Sequence, residues 1–171
     1  MTYAELTRLA ESAEPFSAVI DVDDESFLAA GDMAGRIQAY CAQSGQVVPQ
    51  TSGEILRIAL EGMALKYRLV LERLEEISGK RFERIHIIGG GSQNELLNQF
   101  TADATGREVI AGPVEATAIG NILMQAIGLK QLGSLAEARA IVGRSFEKKV
   151  YEPQQNTAWQ EAYSRLRKVI E

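Results

Sequence analysis

A short β-branched run, Arg84-Ile85-His86-Ile87-Ile88, stops at three consecutive glycines, Gly89, Gly90 and Gly91. An amphipathic segment from Glu95 to Thr105 follows at once. That order reads strand, tight loop, helix start. Lacking a Cβ, glycine tolerates positive φ and lets another group approach the backbone. The leading N–H groups of a helix have no partner inside it, and the helix dipole favours an anion there. Three glycines at such a junction have the form of a phosphate seat. A plain strand-to-helix turn accounts for the loop equally well, because short glycine motifs often occur without a ligand.

The alternation continues. A second extended run, Glu108–Ala111, follows a helix ended by Gly106, and Gly112-Pro113 turns into a segment rich in small residues, Val114-Glu115-Ala116-Thr117-Ala118-Ile119-Gly120-Asn121. A β-loop-α-β-loop-α order implies two parallel strands, here 85–88 and 108–111, joined by a right-handed crossover. Two strands are few for an α/β domain of 171 residues. Helical patterns fill the rest. Thr2-x-x-Glu5 and Thr51-x-x-Glu54 are capping boxes, and Ser134-x-x-Glu137 has the same form. The first opens a helix with Leu6, Leu9 and Ala13 in step, ended by Pro15. Asp32 can cap a helix from Met33 to about Gln43. After Thr51, the residues Ile55, Ala59, Met63, Tyr67, Val70, Leu74 and Ile77 recur at steps of four or three up to Gly79, which predicts a long helix. Leu56, Leu60 and Leu71 widen its apolar face, so burial on more than one side is expected. The small residues after Pro113 predict close packing of that helix on a neighbour. The helix opened by Ser134 is expected to stop at Gly143. The last helix begins near Gln155 or Thr157 and is expected to bury Trp159, Tyr163, Leu166 and Ile170.

Few chemistries are visible in the side chains. A dinucleotide fingerprint needs a further glycine where Asn94 stands, and a P-loop needs a lysine that the loop lacks. His86 alternates with isoleucines and reads as a packed histidine. Asp21, Asp23, Asp24 and Glu25 lack the spacing of a calcium loop and read as a solvated turn. Glu115 and Asn121 are expected to cap or pack. Cys41 and His86, the single cysteine and histidine, make no Cys/His zinc set. No catalytic residue and no metal site are expected in this chain. A net charge of −5 with no basic run argues against nucleic acid or an anionic membrane surface as partner. No stretch has the length and apolarity of a membrane span or a signal peptide, so a cytoplasmic setting is expected.

The motifs taken together are more specific than the loop. Ile87-Ile88-Gly89-Gly90-Gly91-Ser92-Gln93-Asn94, Leu96-Leu97-Asn98-Gln99 and Ala111-Gly112-Pro113-Val114-Glu115-Ala116-Thr117-Ala118-Ile119-Gly120-Asn121 closely resemble the FGGY carbohydrate kinase family. Val19-Ile20-Asp21 with Phe27-Leu28 and Gly31-Asp32-Met33 is similar to its acidic loop, and the segment from Ile55 to Tyr67 is similar to its long central helix.

The resemblance implies an α/β fold, the helix-rich part of an actin-like (ribonuclease H-like) ATPase domain, with few parallel strands and flanking helices. It implies transfer of a phosphoryl group from MgATP to a sugar. The run from Ala111 to Asn121 favours L-rhamnulose and its 1-hydroxyl; another ketose or polyol is the alternative, as is a nucleotide-binding or interaction module without chemistry. It places Gly89, Gly90 and Gly91 against the phosphates of ATP or ADP, and Ser92, Gln93 and Asn94 near the nucleoside. The whole chain, 1–171, is expected to be one incomplete C-terminal domain. The N-terminal sugar-binding domain, the catalytic aspartate and the opening hairpin of the C-terminal domain are expected to be absent, with magnesium held mainly by ATP and by parts outside this chain. Without the hairpin, strand 85–88 is expected to expose a bare edge and favour self-association.

Overall fold

A computed structural model describes residues 2–154 and 157–170. Helix α1 (Tyr3–Ser12) starts at the expected capping box, with the Thr2 hydroxyl accepting from Glu5 N–H and the Glu5 carboxylate accepting from Thr2 N–H. Its buried contact is Ala10, whereas Leu9 stays exposed. Residues 16–21 run back irregularly, with Ala18, Val19 and Ile20 buried. The Gln46 side chain replaces a neighbouring strand there. Its amide accepts from Val19 N–H and donates to Val19 C=O, both at 2.8 Å.

Helix α2 (Met33–Gln43) is capped by Asp32, as expected, and buries Ile37 and Cys41. The acidic turn before it is tied down rather than simply solvated. Lys66 pairs with Asp23 at 2.7 Å and with Asp21 at 3.5 Å, and Asp24 caps a short 3-10 turn, Glu25–Phe27. Helix α3 (Ser52–Ser78) has the expected capping box and a left-handed cap at Gly79. Where Gly53 meets α1, an added Cβ would lie 2.6 Å from the Leu9 carbonyl oxygen, so the two helices cross at a distance only glycine permits.

The buried side of α3 matches the predicted set only in its first half, where Leu60 is buried and Ile55, Leu56, Ala59 and Met63 are half-buried against the cores. Ile58, Ala64, Leu65 and Leu69 are buried, together with the charged pair Arg57 and Glu61. Tyr67, Val70, Leu74 and Ile77 are exposed. Burial on more than one side holds for the first half of the helix only. Both faces are apolar in sequence; α1, α4 and α7 cover one, and α2 with residues 18–22 covers the first half of the other.

Strand β1 is Arg84–Ile87, one residue earlier than expected, and β2 is Glu108–Ala111, as expected. Helix α4 (Glu95–Thr105) joins them, the pairing is parallel, and Gly106 caps α4 in the left-handed region. A third strand, β3 (Lys149–Tyr151), pairs antiparallel to β2. The sheet order is β1-β2-β3, so it is mixed rather than purely parallel. Three residues of ordinary composition carry no strand signal of their own. Val109, Ala111, Ile85, Ile87 and Tyr151 share the face that packs on α4. His86 lies on the opposite face and is exposed, not packed.

Helix α5 (Ala116–Gly128) has no buried residue. Ile119, Leu123 and Ile127 are half-buried, whereas Ile122, Met124 and Leu129 are exposed, and a Cβ built on Gly120 or Gly128 meets no described atom within 4 Å. The Glu115 side chain makes no cap bond. Helix α6 (Leu135–Ser145) is capped by Ser134 and runs past Gly143. Helix α7 (Thr157–Ile170) buries Trp159, Tyr163 and Leu166 and half-buries Ile170. Gln155 lies outside the described residues. The main core joins α1, α3, α4 and α7, with Trp159 meeting Phe16 and Phe100 edge-on at 4.8 and 5.3 Å. Among the described residues no helix is long and apolar enough to cross a membrane.

Candidate functional site

The glycines sit where β1 ends and α4 is about to begin. Residues Gly89–Gln93 form a 3-10 turn, and Asn94 then caps α4 by accepting from Leu97 N–H at 3.0 Å. Only Gly89 of the three glycines has positive φ, +74°. Its N–H donates to the Pro113 carbonyl at 3.1 Å, while Gly112 N–H donates to Ile87 C=O at 2.8 Å. The loop after β1 and the loop after β2 are therefore stitched together, a coupling with no signal in the sequence. Gly89 serves backbone geometry.

Gly90 and Gly91 are different. Both are exposed. A Cβ built on Gly90 meets no atom within 4 Å, and one on Gly91 meets only Ile87 Cγ2 at 3.8 Å. Nothing among the described residues requires Gly90 to be glycine. Gly90 N–H also stands at the start of a turn, where a helical N–H has no intrahelical acceptor. Open space and a leading donor fit a phosphate that a side chain would displace.

The remaining predicted residues are partly committed to the loop itself. The Ser92 hydroxyl donates to Gly89 C=O at 2.7 Å. The Asn94 carbonyl oxygen is taken by the cap, and Gln93 is exposed. All six, Gly89 to Asn94, are contiguous in space as in sequence. Asn98, which sequence reading did not single out, lies beneath them. It is fully buried and donates from Nδ2 to Ser92 C=O at 3.0 Å. The available signal was a polar side chain inside the apolar face formed by Leu97 and Phe100.

Lys149 on β3 pairs with Glu95, in the first turn of α4, at 2.6 Å. That bond raises the Lys149 ammonium above its ordinary value. Glu95 by itself opposes an anion at this helix end, and Lys149 offsets it. A cleft of about 750 Å³ lies at the other end of α4, beside Thr105, Gly106 and Arg107. Its arginines are already paired, Arg68 with Glu72 and Arg107 with Glu75. No group of three or more metal-ligating side chains is found among the described residues.

The family model for the C-terminal domain of the FGGY family of carbohydrate kinases matches residues 1–129. Rhamnulokinase of Bacteroides thetaiotaomicron is 45% identical over 169 residues, covering 99% of this chain and 35% of the relative. Rhamnulokinase of Bacillus subtilis is 43% identical over 152 residues, covering 89% of this chain and 31% of the relative. The chain thus spans about a third of the length of the curated relatives it matches. Among solved structures, Plasmodium falciparum glycerol kinase with ADP superposes with a TM-score of 0.70 at 19% identity, over 99% of this chain and 33% of that one. Xylulose kinase from Rhodospirillum rubrum follows with a TM-score of 0.64 at 21% identity, over 98% and 33%. The fold is that of these actin-like kinases.

Proposed function

Because this chain belongs to the FGGY family of carbohydrate kinases, we propose that it supplies the nucleotide-binding side of a rhamnulokinase, which phosphorylates L-rhamnulose at its 1-hydroxyl from MgATP. Residues 1–171 form one domain, a part of the C-terminal kinase domain. Gly90 and Gly91 take the phosphates of ATP or ADP on their N–H groups, with the start of α4 behind them. Gly89 holds the loop's turn. Ser92, Gln93 and Asn94 line the nucleoside side, where Asn94 offers its amide NH₂. Magnesium comes bound to the nucleotide. The identity to rhamnulokinases, 45% over 169 residues in one case, favours L-rhamnulose over another sugar or polyol.

One observation carries the nucleotide reading. Gly90 has open space around its Cβ position and an ordinary, negative φ. The strain expected for a side chain at positive φ belongs to Gly89 instead. Gly90→Val is therefore expected to fold normally and to lose MgADP affinity by about tenfold or more, since its methyl groups fill the phosphate's space. Calorimetric titration and thermal melting of the same samples check this. Unchanged affinity in a folded variant would make the loop a plain turn.

A second proposal concerns partners. Among the described residues, strand β1 has a neighbour on one side only. Ile88 and Ile122, exposed at 59% and 65%, add apolar surface after β1 and on α5. Such surfaces favour association. Residues 1–171 on their own are expected to self-associate at rising concentration, and lysines at Ile88 and Ile122 to weaken it. A sedimentation series that stays monomeric throughout refutes this.

A further inference from the structure

Asn98 carries an unexplained cost. It is 0% exposed, and its Oδ1 has no hydrogen-bond donor among the described residues. A buried acceptor left alone costs more than one ordinary hydrogen bond returns. A leucine of similar size would avoid that cost on a helix face already lined by Leu97 and Phe100. What asparagine adds is a single bond, Nδ2–H to the Ser92 carbonyl at 3.0 Å. That bond reaches from the second turn of α4 to the middle of the glycine loop.

The loop has few other ties. Gly89 is fixed by its N–H to Pro113 and by the Ser92 hydroxyl, and Asn94 N–H closes on Gly91 C=O at 3.1 Å. Among the described residues, the Ser92 carbonyl is held from outside the loop by Asn98 alone. Holding that carbonyl fixes the Ser92–Gln93 peptide plane and so restrains the loop that carries Gly90 and Gly91.

We propose that Asn98 is a positioning residue: through its amide N–H on Ser92 C=O it holds the glycine loop in the shape that binds a nucleotide's phosphates. This rests on the nucleotide reading of the loop. Asn98 touches no phosphate itself, and its contribution is preorganisation.

Three proteins decide the matter: the unaltered chain, Asn98→Leu and Asn98→Asp, each titrated with MgADP and melted. Asn98→Leu is expected to melt at the same temperature or higher and to bind MgADP about fivefold more weakly or worse, the effect of one lost positioning bond. Stability and binding would move apart, which a purely structural role does not produce. A carboxylate at 98 cannot donate, but a protonated carboxyl can. Burial raises its pKa. The affinity of Asn98→Asp, taken as a ratio to the unaltered chain at each pH, is therefore expected to recover as pH falls from about 8 to 5.5. If Asn98→Leu does not fold, that pH series decides alone. Unaltered affinity in a folded Asn98→Leu overturns the proposal, as does a ratio for Asn98→Asp that is flat with pH. Absence of MgADP binding by the unaltered chain overturns the nucleotide reading and this inference with it.

Discussion

Residues 1–171, supplied with MgATP and L-rhamnulose, are expected to show turnover at least about a thousandfold below the roughly 1–100 s⁻¹ of ordinary kinases. Phosphoryl transfer is mostly positioning: nucleotide, metal and acceptor must meet in one geometry. On the proposed reading the chain offers one part of this. Its glycine loop presents N–H donors, but the carboxylates beside it are otherwise placed. Glu95 is bound to Lys149 at 2.6 Å, and Glu115 stands on the exposed start of α5. Among the described residues no cluster of metal-ligating side chains lies near the loop. The curated relatives are about three times as long. A coupled assay at high protein concentration measures the rate, with MgADP binding measured in parallel. Retained binding without turnover is the expected pair of results. Turnover at the ordinary rate would mean that these residues assemble an acceptor site not identified among them.

Replacing Arg57 by leucine is expected to destabilise the chain by about 3–5 kcal/mol, the cost of stranding a buried charge. Glu61 is 1% exposed, and Arg57 Nε lies 2.8 Å from its Oε1. The other Glu61 oxygen accepts from Phe16 N–H at 3.0 Å. Arg57 Nη1 donates to the carbonyls of Ala10 and Glu11, both at 3.0 Å, and its guanidinium lies over the Phe100 ring. The pair thus ties the end of α1 and the reversing chain to α3 and α4.

Burial already pushes the Glu61 carboxyl up, with Arg57 opposing. Without Arg57 it rises further. A carboxyl whose pKa is higher folded than unfolded binds its proton more tightly in the native state. Its stability contribution is largest below the unfolded value and falls as pH rises toward the folded one. The deficit of Arg57→Leu should therefore shrink on acidification from pH 8 to pH 5. The double variant Arg57→Leu, Glu61→Leu should be more stable than Arg57→Leu alone, because no charge is left buried. Denaturant unfolding at both pH values tests this. A deficit under about 1 kcal/mol would place the pair in the range of an exposed salt bridge.

What sequence could determine here is local. Thr2, Asp32, Thr51 and Ser134 cap the helices they precede, because a side-chain oxygen acts on N–H groups two or three residues away. The β1–α4–β2 unit and its glycine loop were legible for the same reason: β-branched runs, glycines and helical spacing lie next to one another in the chain. The motif run from Ile87 to Asn121 carried the family. What tertiary structure decided depends on partners distant in sequence. The apolar stripe of α3 looks alike along its length in sequence, but neighbours in space cover its first half and leave Tyr67, Val70, Leu74 and Ile77 exposed. Strand β3 exists because β2 offers it an edge. Gln46 serves Val19, Pro113 fixes Gly89, and Asn98 holds Ser92 from below. Gly89 and Gly90 read as equals in the chain. Only the fold separates the one needed for its backbone angle from the one left open to solvent, since φ and free volume are set by the surroundings rather than by residue type.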